Sequence, residues 1–109
     1  MKTIVVLMDS LNRHFLSLYG NDWVQTPNID RFAEKSVTFD NHWLGSAPCM
    51  PARRDMMTGR LNFLENDWGP IEPYDVTLPG KLRENDIFTH MVTDHYHYFE
   101  IGGENYCQI

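Results

Sequence analysis

Ile4-Val5-Val6-Leu7-Met8-Asp9-Ser10 is the stretch that decides the fold class. Its unbroken apolar run opens on the β-branched Ile4, Val5 and Val6. Such a run fits a strand covered on both faces, as strands of a parallel sheet are. It stops at Asp9-Ser10, and polar side chains at the carboxyl end of such a strand stand where open α/β sheets build their sites. Val37 to Trp43 alternates and reads as a second strand. Ile87 to Thr93 reads as a third, ending in Asp94-His95-Tyr96-His97. Three helices are expected between them. One opens at Thr26, with Pro27 at its first position, and stops near Ser36. Another covers Met50 to Thr58, with Pro51 in its first turn and Gly59 at its C-terminal cap. A third runs from its cap Thr77 to Asn85. Leu61 to Asp75 carries Asn, Gly and Pro throughout and reads as a surface excursion. Gly102-Gly103 and a short polar tail follow Phe99. This alternation argues for α/β architecture, with a largely parallel central sheet and flanking helices.

The chain has 109 residues, of which 42% are hydrophobic and 13% aromatic, enough for one small packed domain. Nine basic against fifteen acidic residues give a net charge of −6 without any basic run. That balance argues against nonspecific binding to nucleic acid or an anionic membrane. A small anionic substrate stays open, because a pocket needs only a local cluster of positive charge. Two cysteines, Cys49 and Cys107, make no disulfide scaffold. Ile4 to Met8 is short for a signal-peptide core, and no apolar run is long enough to span a bilayer. The default expectation is a cytoplasmic protein.

Cys49-Met50-Pro51-Ala52-Arg53-Arg54 carries the chemistry. Pro51 sets Cys49 at the start of a helix, where free N–H groups and the positive end of the helix dipole favour an anion and a thiolate. Arg53 lies four residues on, one turn away on the same face, where a guanidinium can hold an anionic group beside position 49. The alternative is a small, inert cysteine ahead of an ordinary helix.

Cys49-Met50-Pro51-Ala52-Arg53, followed by Thr58-Gly59-Arg60, resembles the signature of the sulfatase family, Cys-x-Pro-(Ser or Ala)-Arg and then Thr-Gly-Arg. Three further stretches agree in order. Met8-Asp9-Ser10-Leu11 is similar to the end of the family's first metal-binding strand, Thr26 to Ala33 to its Thr-Pro-Asn helix, and Val37 to Asn41 to the strand before the cysteine loop. The resemblance covers nearly the whole chain. It implies the N-terminal part of an alkaline-phosphatase-like α/β hydrolase. It further implies that a maturation enzyme oxidises Cys49 to formylglycine, whose hydrate attacks the sulfur of a small sulfated substrate. An unmodified thiol would be a poor substitute, since it lacks the geminal hydroxyls that let the ester intermediate collapse. Asp9, the formylglycine at position 49 and, beside Asp9, Ser10 are the implied ligands of a divalent cation, Ca²⁺ or alternatively Mg²⁺. Arg53 is implied to stabilise the nucleophile, and His95 and His97 to contact the sulfate or protonate the leaving oxygen.

The sequence departs from the pattern in places. Ser10 stands where many sulfatases carry a second Asp, and His95 where a Lys is usual. Both blur the choice between sulfate and phosphate or phosphonate esters, so a hydrolase of the latter kind is the alternative. The family's second acidic metal-binding segment, far toward the C-terminus, is absent from these 109 residues. A catalytically inactive fragment, self-association and a separate C-terminal portion all follow as readings. Arg13 and His14 fall where relatives have a polar pair, although a solvated surface explains them as well. Arg54 is free to face solvent or pocket. His95 and His97 share a face of an extended strand, so with Asp94 or Cys107 they form a candidate transition-metal site. Against this stands simple aromatic packing by Tyr96, Tyr98 and Phe99.

Overall fold

A computed structural model describes residues 2–100, 103 and 105–109. Gly102 of the Gly102-Gly103 pair lies outside the described residues. The chain divides into two compact units, residues 1–42 and 43–109. Among the described residues no helix is long and apolar enough to cross a membrane.

In the first unit the expected helix forms as α1, Pro27–Ala33. Pro27 occupies its first turn because its fixed φ suits the start and its lack of an N–H costs nothing there. Thr26 does not cap α1 with its side chain. Its hydroxyl instead accepts from Ser17 N at 3.0 Å and lies 2.9 Å from Ser17 Oγ. That ties α1 to the short 3₁₀ turns at Arg13–Phe15 and Ser17–Tyr19. Arg13 donates to the Asp40 carbonyl at 2.9 Å and lies over the Tyr19 ring, so it is more than solvated surface.

The second unit holds α2, Cys49–Thr58, and α3, Leu78–Arg83. Gly59 ends α2 at φ 68°, a left-handed conformation that favours glycine. Thr77 caps α3 as expected, accepting from Gly80 N at 3.2 Å. The apolar core is Met50, Ile71, Tyr98 and Tyr106, with Cys49, Met57 and Ile109 packed against it. The expected surface excursion is therefore partly interior. Ile71 and Asn62 are buried within it, and Asp75 at its end pairs with Arg54. The expected polar tail likewise contributes Tyr106 to the core.

The sheet is where structure and expectation part: among the described residues there is no strand, and the largely parallel sheet is not seen. The run expected as β-structure at 4–8 is unpaired and exposed, with Ile4 at 86% and Val6 at 71%. Val37 and Phe39 in the second run, and Phe88 and Val92 in the third, are exposed as well. The physical reason is non-local. A strand buried on both faces is stable only with a neighbour on each edge and a layer on each side, and none of that is encoded within the run.

Candidate functional site

Cys49 opens α2, and four of the next five residues, Met50, Pro51, Arg53 and Arg54, are fixed by burial. Met50 anchors the helix in the core at 0% exposure. Position 49 is half-buried, and its Sγ lies 3.4 Å from His97 Nδ1. One ligand atom each from Cys49, His95 and His97 falls within 4.8 Å of the others. The two histidines meet through a different local structure from the one expected. Tyr96–Phe99 is a 3₁₀ turn rather than a strand end, and it sets the two imidazoles edge to face at 5.1 Å. Neither of the ligands expected to complete a histidine site is part of this group. Cys107 is exposed, with its Sγ 3.9 Å from Met91 Sδ, and Asp94 is exposed.

His97 is held from three sides. Trp68 packs edge-on against its ring at 4.8 Å, and Glu100 Oε2 lies 3.8 Å from Nε2. Gly103 passes so close to the His97 carbonyl that a Cβ at that position would collide with it. Only glycine fits such an approach without displacing the turn that carries the histidine.

Arg53 is buried, donates to Tyr98 Oη at 3.0 Å and stacks over the same ring at 4.9 Å. Tyr98 in turn lies 5.5 Å from His95, ring to ring. A guanidinium one turn below Cys49 thus joins the histidine pair through a tyrosine. Arg54 faces neither solvent nor this cluster. It is 2% exposed, bonds Asp75 Oδ2 at 2.6 Å and donates to the Pro70 carbonyl at 3.2 Å. The 100° between successive helical residues separates the two arginines into different surroundings.

Asp9 and Ser10 belong to the first unit. Both are exposed, Ser10 Oγ donates to Asp9 Oδ1 at 2.7 Å, and Ser10 holds φ at 59°. Their oxygens suit a hard cation. Ca²⁺ takes about 6–8 oxygens, so a carboxylate and a hydroxyl make up only part of such a cage.

Sequence reading missed Trp68, Tyr98 and Glu100 as members of the site. Tyr98 and Glu100 sit within three residues of a candidate histidine, which was an available signal. Trp68 lies in the stretch expected at the surface and offered none.

The family of sulfatases matches residues 2–102. Arylsulfatase H of Canis lupus familiaris is 34% identical over 103 residues, covering 87% of this chain and 18% of that protein. Iduronate 2-sulfatase of Mus musculus is 32% identical over 100 residues, with 86% and 18% covered. Human steryl-sulfatase is 42% identical over 57 residues, covering 52% of this chain and 10% of its own length. The chain thus spans less than a fifth of the curated relatives it matches. No solved structure matches it. A match over nearly the whole chain, on the same residues that set Cys49 at the head of α2, makes this chain a member of the sulfatase family.

Proposed function

We propose that this chain carries the nucleophile segment of a sulfuric ester hydrolase, acting on a small sulfated substrate once a maturation enzyme has converted Cys49 to formylglycine. One observation carries the reading. The family's cysteine heads α2, with Arg53 one turn on and His97 Nδ1 at 3.4 Å.

Formylglycine at position 49 supplies, as its hydrate, the attacking hydroxyl. Asp9 and then Ser10 are the proposed ligands on this chain for a divalent cation, which would supply positive charge to a bound sulfate. We take Ca²⁺ as that cation, because the oxygen donors are hard. His97, whose Nδ1 faces position 49, is the proposed proton donor to the leaving oxygen. His95, edge to face with His97, adds a donor to the sulfate. Arg53 adds fixed positive charge that needs no reorganisation, since Tyr98 already holds its plane.

The test is mass spectrometry of the peptide containing residues 49–53 after expression in a host that matures such motifs. Aldehyde at position 49, with Cys107 unchanged as internal control, is the expected result. Free thiol alone at position 49 overturns the reading. The 109-residue chain by itself is expected to show no aryl sulfate turnover and at best weak Ca²⁺ binding in calorimetric titration. Two oxygens leave most of the coordination shell to water. Robust turnover by this chain would show that the site is built elsewhere.

A further inference from the structure

We infer that, in its thiol form, Cys49 builds with His95 and His97 a three-ligand site for a borderline-soft divalent metal, Zn²⁺ foremost. The inference concerns the chain before any oxidation at position 49, and it stands whether or not maturation occurs.

The donor set is one sulfur and two imidazoles, the kind of set that takes Zn²⁺ rather than Ca²⁺ or Mg²⁺. Three protein ligands with a fourth position left to water is the usual arrangement of an open zinc site. Tetrahedral geometry with the usual Zn–S and Zn–N bonds puts ligand atoms about 3.3–3.6 Å apart. Cys49 Sγ and His97 Nδ1 already stand at 3.4 Å, and all three donor atoms lie within 4.8 Å. Bringing the widest gap down from 4.8 Å to that range takes a movement of about 1.2–1.5 Å. All three residues are half-buried rather than part of the closed core.

The surroundings support the same reading. His97 turns Nδ1 to the sulfur and Nε2 toward Glu100, 3.8 Å away. A carboxylate behind a ligating histidine fixes its tautomer and raises its basicity, the common outer-shell partner of a zinc ligand. Trp68 and the close pass of Gly103 hold that ring in place. On binding, the thiol proton leaves to the buffer, the thiolate and two neutral imidazoles bond the ion, and no electron is transferred. Conversion of Cys49 to an aldehyde removes the sulfur ligand. Zinc binding and formylglycine are therefore mutually exclusive states of this position, and bound zinc shields the thiol from oxidation.

The experiment uses the thiol-form 109-residue chain, kept reduced by a phosphine, with Zn²⁺ in calorimetric titration and Co²⁺ as the spectroscopic probe. One ion per chain and a thiolate-to-cobalt charge-transfer band are expected. Cys49→Ser abolishes the band and weakens Zn²⁺ binding by more than the roughly 10–100-fold expected of an outer-shell loss, which Glu100→Gln should show. Cys107→Ser leaves both unchanged. Absence of the band from the unsubstituted chain overturns the inference without relying on any variant's folding. So does a band that survives Cys49→Ser and disappears with Cys107→Ser. Loss of formylglycine formation in a maturing host would strike the proposed hydrolase and leave the zinc result untouched, so the two readings fail separately.

Discussion

Residues 1–42 and 43–109 are built on different principles. The first unit has no buried residue among those described, and its apolar runs lie open. What order it has comes from small polar side chains. Asn21 accepts from Trp23 N and Val24 N, and Ser17 and Thr26 bond each other. The second unit buries Met50, Ile71, Tyr98 and Tyr106 around a helix that also buries two arginines. The contrast shows where the chain is self-sufficient. Side chains that find partners within the unit make a core, and runs that need a sheet stay exposed until one is supplied. An exposed, unpaired apolar run is also a site for association with another strand.

Truncations of buried groups should break this contrast most visibly. Arg54→Ala leaves Asp75 charged and buried, a loss of about 3–5 kcal/mol. Met50→Ala opens a cavity at a fully buried position and should cost about 2–5 kcal/mol. Val6→Ala, at a side chain 71% exposed, should stay within about 0.5 kcal/mol. Denaturant unfolding of the three variants checks the ranking. A Val6→Ala cost equal to that of Met50→Ala would mean that the first run is buried in solution.

A second pair of substitutions separates chemistry from stability on one helix. Arg53→Lys keeps the charge and loses the planar fork that meets Tyr98 both edge and face. In any complete protein that carries this segment, if the proposed hydrolysis holds, kcat/KM on a sulfate ester should fall about 10²–10³-fold, the scale of a deleted oxyanion-hole donor. Arg54→Lys should lower the unfolding midpoint and leave kcat/KM per folded molecule nearly unchanged, because its partners are Asp75 and Pro70. Conversion of position 49 must be equal in both proteins, as read by mass spectrometry. Equal kinetic losses would place both arginines outside the reaction.

The helices were legible in the sequence because their signals are local. Pro27, the Pro51–Gly59 frame and the Thr77 cap each act within one or two turns, and α1, α2 and α3 follow them closely. The cysteine, Arg53 and the histidine pair were legible as residues, but their partners were not. Tyr98 is 45 positions from Arg53 and Asp75 is 21 from Arg54, and no local pattern announces either contact. Tyr106 read as tail for the same reason. The strands failed for the converse reason, since their local signal was present and their neighbours were not.

Acid should weaken the second unit through Asp55. Burial works to raise its pKa, but the polar groups around it, the hydrogen-bonding Asn62 and the neighbouring Ser46, outweigh it and hold the carboxyl below its usual value of 3.8. Asn62 contributes both N and Nδ2, at 2.9 and 3.0 Å from Oδ1. A depressed folded pKa means stability that is present above 3.8 and lost as pH falls through the folded value. The stability gap between the unsubstituted chain and Asp55→Asn should therefore be widest near neutrality and shrink below pH 3.8. A gap that stays constant down to low pH would remove Asp55 from the account.

The smallest effects compare one hydroxyl in each unit. Thr77 accepts from Gly80 N and is buried, so Thr77→Ala should cost about 1 kcal/mol, the usual loss of an N-cap. Ser17 sits at the centre of the first unit's polar links. Its Oγ accepts from Thr26 N at 3.1 Å and donates to the Val24 carbonyl at 3.3 Å. Ser17→Ala should also cost about 1 kcal/mol, because half-buried groups left without a partner recover part of the loss by bonding water. The two substitutions should nevertheless read out differently. Thr77→Ala should shift the cooperative unfolding of the unit that holds the core. Ser17→Ala should leave that transition in place and speed amide exchange only at Thr26 and along α1, since no core there couples a local opening to the rest. Amide exchange measured beside denaturant unfolding distinguishes the cases. If Ser17→Ala lowered the global transition as far as Thr77→Ala does, the two units would unfold as one and the contrast between them would not hold in solution.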